Sequence, residues 1–307
     1  MKRHLLITEF LATPWALMPE RLNAATAMLT RWASGQAAAP EIMAAVAADR
    51  EARDARRESN TRAGGNIGVL PFYGVVTQRE VADLCGPGSC STQRFSAGLR
   101  EMLADDTIGA ILIDIDSPGG SVYGVAELAA EILQARNVKP VVAIANSLAA
   151  SAAYWAGSAA GEFYVTPGGE VGSIGVWQAH MDYSQFLANE GVSPTLISAG
   201  KYKVEGNPYA PLDAEAHAFM QSRVDDYYAS FTKGVAKARG VPIAQVRDGM
   251  GQGRVLGAEA ALAEKMVDGI MTFDQVIRKM QKDLRSTATA PAKSRRAAAE
   301  RDLQLLG

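Results

Sequence analysis

The chain has two cysteines and three histidines among 307 residues, and that scarcity narrows the chemistry available to it. A disulfide scaffold is excluded. Cys85-Gly-Pro-Gly-Ser-Cys90 has neither the spacing of a redox CxxC pair nor a second pair with which to close a metal site. Two reduced thiols in a Gly-Pro turn are expected, with no metal and no cofactor. Charge of one sign is also lacking: 31 Lys and Arg stand against 33 Asp and Glu, a formal net charge of -2 that argues against a general nucleic-acid binder. No run approaches the roughly 18 apolar residues needed to cross a bilayer. The opening Met1-Lys-Arg-His-Leu-Leu-Ile resembles a secretory signal briefly, but Glu9 and Pro14 cut the apolar run short. A soluble, unexported, cytoplasmic protein without a membrane span is expected.

What the chain does have is a hydrophobic fraction of 48%, enough for a substantial core. Residues 1–60 read as a separate helical segment, with helices over 19–32 and 40–57 and a solvated charge run at the end of the second. From Ile67 the pattern changes to short apolar strands alternating with helices. Strands are expected at 67–73, 108–114, 141–145, 163–165, 172–177 and 195–197, and helices at 91–103, 122–135, 152–160 and 183–189. Such alternation implies crossovers and a mainly parallel sheet with both faces covered, an α/β fold. A long amphipathic helix over 213–237 reads as a packing or subunit-contact element. Residues 67–272 form the expected main domain, and 273–307 a C-terminal helix and basic tail.

The stretch from Ile111 to Val176 carries the chemistry. Ser151 lies between the apolar run Val141 to Ala145 and the small-residue segment Ala152 to Ala160, so it sits at a strand-to-helix turn. The first N–H groups of a helix lack intrahelical acceptors and can face what a serine attacks. A serine before a helix commonly does no more than cap it. Here, however, Asp116-Ser-Pro-Gly-Gly-Ser121 adds a glycine pair at another strand end, where backbone N–H groups can approach a substrate closely. Gly200-Lys-Tyr-Lys203 adds lysines after a third apolar stretch. A serine hydroxyl needs a base. His180 is the histidine nearest in sequence, but its spacing to Asp182 suits local hydrogen bonding equally well. A lysine buried beside a serine can lose its charge and accept the proton, and spacing alone leaves Lys201 and Lys203 open.

In this order, Asp116-Ser-Pro-Gly-Gly-Ser121, Ala149-Ala-Ser-Ala-Ala-Tyr-Trp155, Val171-Gly-Ser-Ile-Gly-Val176 and Gly200-Lys-Tyr-Lys203 resemble the signal peptide peptidase A family of serine peptidases over residues 67–270. The resemblance implies a ClpP/crotonase-like core and a Ser-Lys dyad, with Ser151 as nucleophile and Lys203 as general base. It also implies an oxyanion hole of backbone N–H groups from Gly119, Gly120 and Ala152. Ala152-Ala153 replaces the glycine pair of many members, which should narrow the pocket.

Within the family, His180-Met-Asp-Tyr-Ser184, Val204-Glu-Gly-Asn-Pro-Tyr-Ala-Pro-Leu212 and the loop Cys85-Gly-Pro-Gly-Ser-Cys-Ser-Thr-Gln93 resemble the phage and prophage branch of head maturation (capsid assembly) proteases. That branch implies scaffold, capsid or portal proteins as substrates, a ring of identical subunits, and a site of action in the host cytoplasm or prohead interior. An Ala-like residue before the cut is implied as well, which makes the tail at Ala297-Ala-Ala299 a candidate for self-cleavage. The alternatives are a cellular signal-peptide or quality-control peptidase of the same family, a crotonase-type acyl-CoA enzyme, and a non-catalytic structural component.

Overall fold

The computed structural model describes residues 14–18, 48, 66–79 and 90–289. The expected helices at 19–32 and 40–57, His4, Cys85 and the tail at Ala297–Ala299 lie outside the described residues.

Two sheets organise the described chain. In the main sheet, β2 (Ile67–Tyr73), β5 (Ala110–Ser117) and β7 (Val141–Ala150) run parallel in spatial order, so consecutive strands are joined by helical crossovers. Along its other edge β7 pairs first with β8 (Glu162–Val165) and further on with β9 (Glu170–Gly172), both parallel. β10 (Val255–Gly257) is antiparallel to β9, and β11 (Gly269–Ile270) is parallel to β8. The smaller sheet has the order β1 (Trp15–Leu17), β6 (Gly119–Ser121), β3 (Val76–Thr77) and β4 (Cys90–Ser91).

The continuous apolar runs of β5 and β7 follow from burial on both faces. Ile111, Ile113, Ile115, Ala143 and Ala145 face one side, where they pack with α1 (Thr92–Ala104), α2 (Val125–Ala135), α3 (Ala152–Ser158) and α5 (Ala214–Arg239). Leu112, Val142 and Ile144 face the other, under Val276, Ile277 and Met280 of α8 (Phe273–Thr289). Between α3 and α8 the chain also forms α4 (Ser184–Asn189), α6 (Ile243–Asp248) and α7 (Ala258–Ala263). This is the expected α/β architecture with a mainly parallel sheet. No helix among the described residues is long and apolar enough to cross a membrane.

Two expected strands are corrected. Residues 195–197 form no strand: Pro194 supplies no N–H, the segment pairs with no sheet, and Ile197 is 96% exposed. The strand expected over 172–177 ends at Gly172, beyond which only Trp177 makes an isolated bridge. In the long helix, Ala216, Phe231 and Val235 are buried while Phe219 is exposed.

Candidate active site

Three strand ends converge on Ser151. β7 delivers it at its C-terminal end, and α3 starts at the next residue. Its backbone has φ 55° and ψ −117°, outside the regions an L-residue prefers, and its side chain makes no capping bond. A strained strand-to-helix turn whose hydroxyl takes no part in capping is the arrangement of the nucleophile elbows of hydrolases. It is held from both sides: the Ser151 N–H donates to the Gly172 carbonyl at 2.6 Å, and the Ser151 carbonyl accepts from Trp155 N–H at 3.0 Å. Gly172 has φ +125°, and a Cβ there would lie 2.7 Å from the Arg254 carbonyl oxygen, so β10 can sit against the turn only because that position is glycine.

All of α3 is buried, which its small residues allow. Tyr154 donates to the Met266 carbonyl at 3.1 Å, and Trp155 stacks on Phe231 at 4.7 Å between ring centroids. The elbow therefore stands on a rigid, packed helix.

The glycine pair lies directly beside it. A Cβ built on Gly119 (φ +93°) would be 2.9 Å from the Ser151 Cβ, 2.9 Å from the Ala150 carbonyl oxygen and 2.3 Å from the Ala16 carbonyl oxygen. A Cβ on Gly120 would be 2.0 Å from the Val76 carbonyl oxygen. Neither position accepts a side chain. Ser117 ties the turn down: its buried hydroxyl donates to the Gly74 carbonyl at 2.6 Å and accepts the Gly119 N–H at 3.2 Å. Ser151, Gly119, Gly120 and the N-terminal turn of α3 at Ala152 are thus brought together. In this conformation the Gly119 N–H is engaged by Ser117.

The lysines are not brought to Ser151. Lys203 is exposed, in a turn at 200–206, and its backbone N–H donates to the Gly200 carbonyl at 3.1 Å. Lys201 is exposed too, bonded to the Tyr202 hydroxyl at 2.6 Å and to Glu215 at 3.0 Å. Those two hydrogen bonds hold its ammonium above the usual lysine range, the opposite of what a general base requires. The strand expected to present these lysines is absent. His180 lies 3.0 Å from the Asn207 carbonyl oxygen, and the Asp182 carboxylate accepts the Ser184 N–H at 2.8 Å, so both serve the local loop.

Sequence reasoning missed three contributors: Ser117, Trp177 and the strand Trp15–Leu17. The last is a short apolar run bracketed by Pro14 and Pro19, a pattern that suits a short added strand. β1 lies antiparallel to β6, with Ala16 opposite Gly120. On its other side Trp15 and Trp177 exchange backbone hydrogen bonds at 2.9 and 3.0 Å, and the Trp177 indole N–H donates to the Leu17 carbonyl at 3.0 Å. With this strand in place Ser151 is 1% exposed.

Residues 134–287 match the model of peptidase family S49. The chain is 32% identical to the head-tail preconnector protein GP5 of Enterobacteria phage P21, over 80% of this chain and 50% of that protein. It is 32% identical to capsid assembly protease C of Escherichia phage lambda, over 79% of this chain and 55% of that protein. It is 25% identical to a putative signal peptide peptidase SppA of Enterococcus faecium, over 71% and 63%. The chain spans about half the length of the two phage relatives.

Proposed function

The chain belongs to peptidase family S49, and from that premise we propose that it is a serine endopeptidase that cleaves scaffold, capsid or portal proteins during assembly of a phage head. The observation that carries the reading is the strained Ser151 elbow set against a glycine turn into which no side chain fits. In the proposed reaction Ser151 Oγ attacks the scissile carbonyl while Lys203 takes its proton. Backbone N–H groups of the Gly119-Gly120 turn and of Ala152 stabilise the oxyanion. Lys203 then protonates the leaving amine, and water hydrolyses the ester. Ser117 acts through the glycine turn, as a positioning residue.

The exposed position of Lys203 supports completion of the dyad on assembly. Its arm also exposes Phe186, Val192, Leu196 and Ile197, apolar surface that a neighbouring copy would cover. In a ring where each serine takes its lysine from the adjacent subunit, Ser151→Ala and Lys203→Ala are each inactive alone. Mixed in equal parts and reassembled, they regain activity at about a quarter of the sites by random placement. A mixture as inactive as its components would limit the dyad to a single subunit.

Substrate class is tested by co-expressing wild type or Ser151→Ala with scaffold, capsid and portal proteins of a phage head. Shortened head proteins in the wild-type culture alone are expected. Intact head proteins in both cultures would overturn the phage-assembly reading.

A further inference from the structure

The strand Trp15–Leu17 occupies the groove beside Ser151 in the way a bound peptide would. It runs antiparallel to β6, and Met18 N–H donates to the Pro118 carbonyl at 3.3 Å. Residues two apart in an antiparallel ladder repeat the same type of pair, so Ala16 and Gly120 face each other as a hydrogen-bonded pair. The Gly120 N–H then points at the Ala16 carbonyl. That same carbonyl oxygen and the Ser151 Cβ both lie within 2.9 Å of one point, the Cβ position Gly119 leaves empty.

The flanking residues fix the segment on both sides of this carbonyl. Trp15, before it, is held by two backbone bonds to Trp177. Leu17, after it, is held by the Trp177 indole. Pro14, with no N–H to give, begins the segment where the ladder stops. Ala16, whose carbonyl lies beside the serine, has a methyl side chain that is 1% exposed and packs in the main core.

We infer that Trp15–Leu17 is a substrate of the chain's own site, with the Ala16–Leu17 peptide bond in register for Ser151. This rests on the reading of Ser151 as nucleophile and adds the bond on which it first acts. Ser151 Oγ forms an ester with the Ala16 carbonyl carbon, and the bond to the Leu17 nitrogen breaks. The serine proton passes through the base to that nitrogen. Solvent water then hydrolyses the ester, leaving an Ala16 carboxylate and a new amino terminus at Leu17. Until that cut the strand keeps Ser151 covered; afterwards the leaving segment opens the groove to other peptides.

The test is intact mass and N-terminal sequencing of the assembled full chain over time, with fluorophosphonate labelling of Ser151 in parallel. Wild type is expected to lose residues 1–16 and begin Leu17-Met18-Pro19, and Ser151→Ala to stay whole. Ala16→Arg is expected to stay whole yet still label, because a long charged side chain cannot sit where the buried methyl does. Trp177→Phe keeps both backbone bonds but loses the indole donor to the Leu17 carbonyl, and should slow the cut about three- to tenfold. Wild type that labels on Ser151 but stays whole, or is cut only at Ala297–Ala299, would overturn the inference and leave the peptidase reading standing. Failure of Ser151 to label would remove both.

Discussion

Gly119→Ala separates the site's geometry from the stability of the fold. Residue 119 has φ +93°, where any residue with a Cβ is strained by about 1–3 kcal/mol. The added methyl would also lie 2.9 Å from both the Ala150 carbonyl oxygen and the Ser151 Cβ, atoms that belong to the elbow. Since the elbow is fixed by Gly172 and by the buried α3, the glycine turn has to yield. Its movement carries the Gly120 N–H away from the oxyanion position. Loss of one such donor costs about 10²- to 10³-fold in rate.

The assay is the second-order rate of fluorophosphonate labelling of the assembled protein, read by intact mass, with a urea unfolding midpoint measured on the same sample. A fall of about 100-fold or more is expected, with a midpoint shift no larger than the strain accounts for. Gly168→Ala is the control, because nothing lies within 4 Å of its added Cβ. A labelling rate for Gly119→Ala equal to that of the control would refute the oxyanion geometry.

Two further substitutions probe the support of the site. Gly234→Ala in α5 puts a Cβ 2.5 Å from the Trp155 indole nitrogen, whose ring is stacked on Phe231, so despite the helix propensity gained it should destabilise by about 1–3 kcal/mol in urea unfolding. Asp268 makes paired 2.8 Å bonds to Arg239 and accepts the Phe163 N–H at 2.7 Å; burial alone would raise its carboxyl, but these bonds outweigh it and hold it below the usual range. A lowered native pKa stabilises the fold above the unfolded value of about 3.9, and that contribution fades as pH falls through the lowered value. The stability lost in Asp268→Asn should therefore be large at pH 7 and shrink towards pH 3, whereas a loss independent of pH would contradict the ion-pair account.

The parallel core and the Ser151 turn were legible because both rest on local signals. Continuous apolar runs of β-strand length mark β2, β5 and β7, and a serine before small residues marks a buried helix start. Gly119 and Gly120 were legible as a tight approach, though the sequence does not reveal that Val76, Ala16 and Ser151 fill the space a side chain would need. The segment at 195–197 misled because its apolar residues match a strand, while their exposure follows from lying on an arm with no sheet edge beside it. The strand at Trp15–Leu17 was missed because its pairing with β6 spans about a hundred residues. Its three side chains are too few for periodicity to register.

A Ser151–Lys203 dyad is tested by intact-mass detection of a fluorophosphonate adduct on assembled wild type, Ser151→Ala, Lys203→Ala and Lys201→Ala. A single adduct is expected on wild type that disappears with Ser151→Ala and with Lys203→Ala but persists with Lys201→Ala. An adduct that survives Ser151→Ala, or labelling of Lys203→Ala at the wild-type rate, would contradict the dyad.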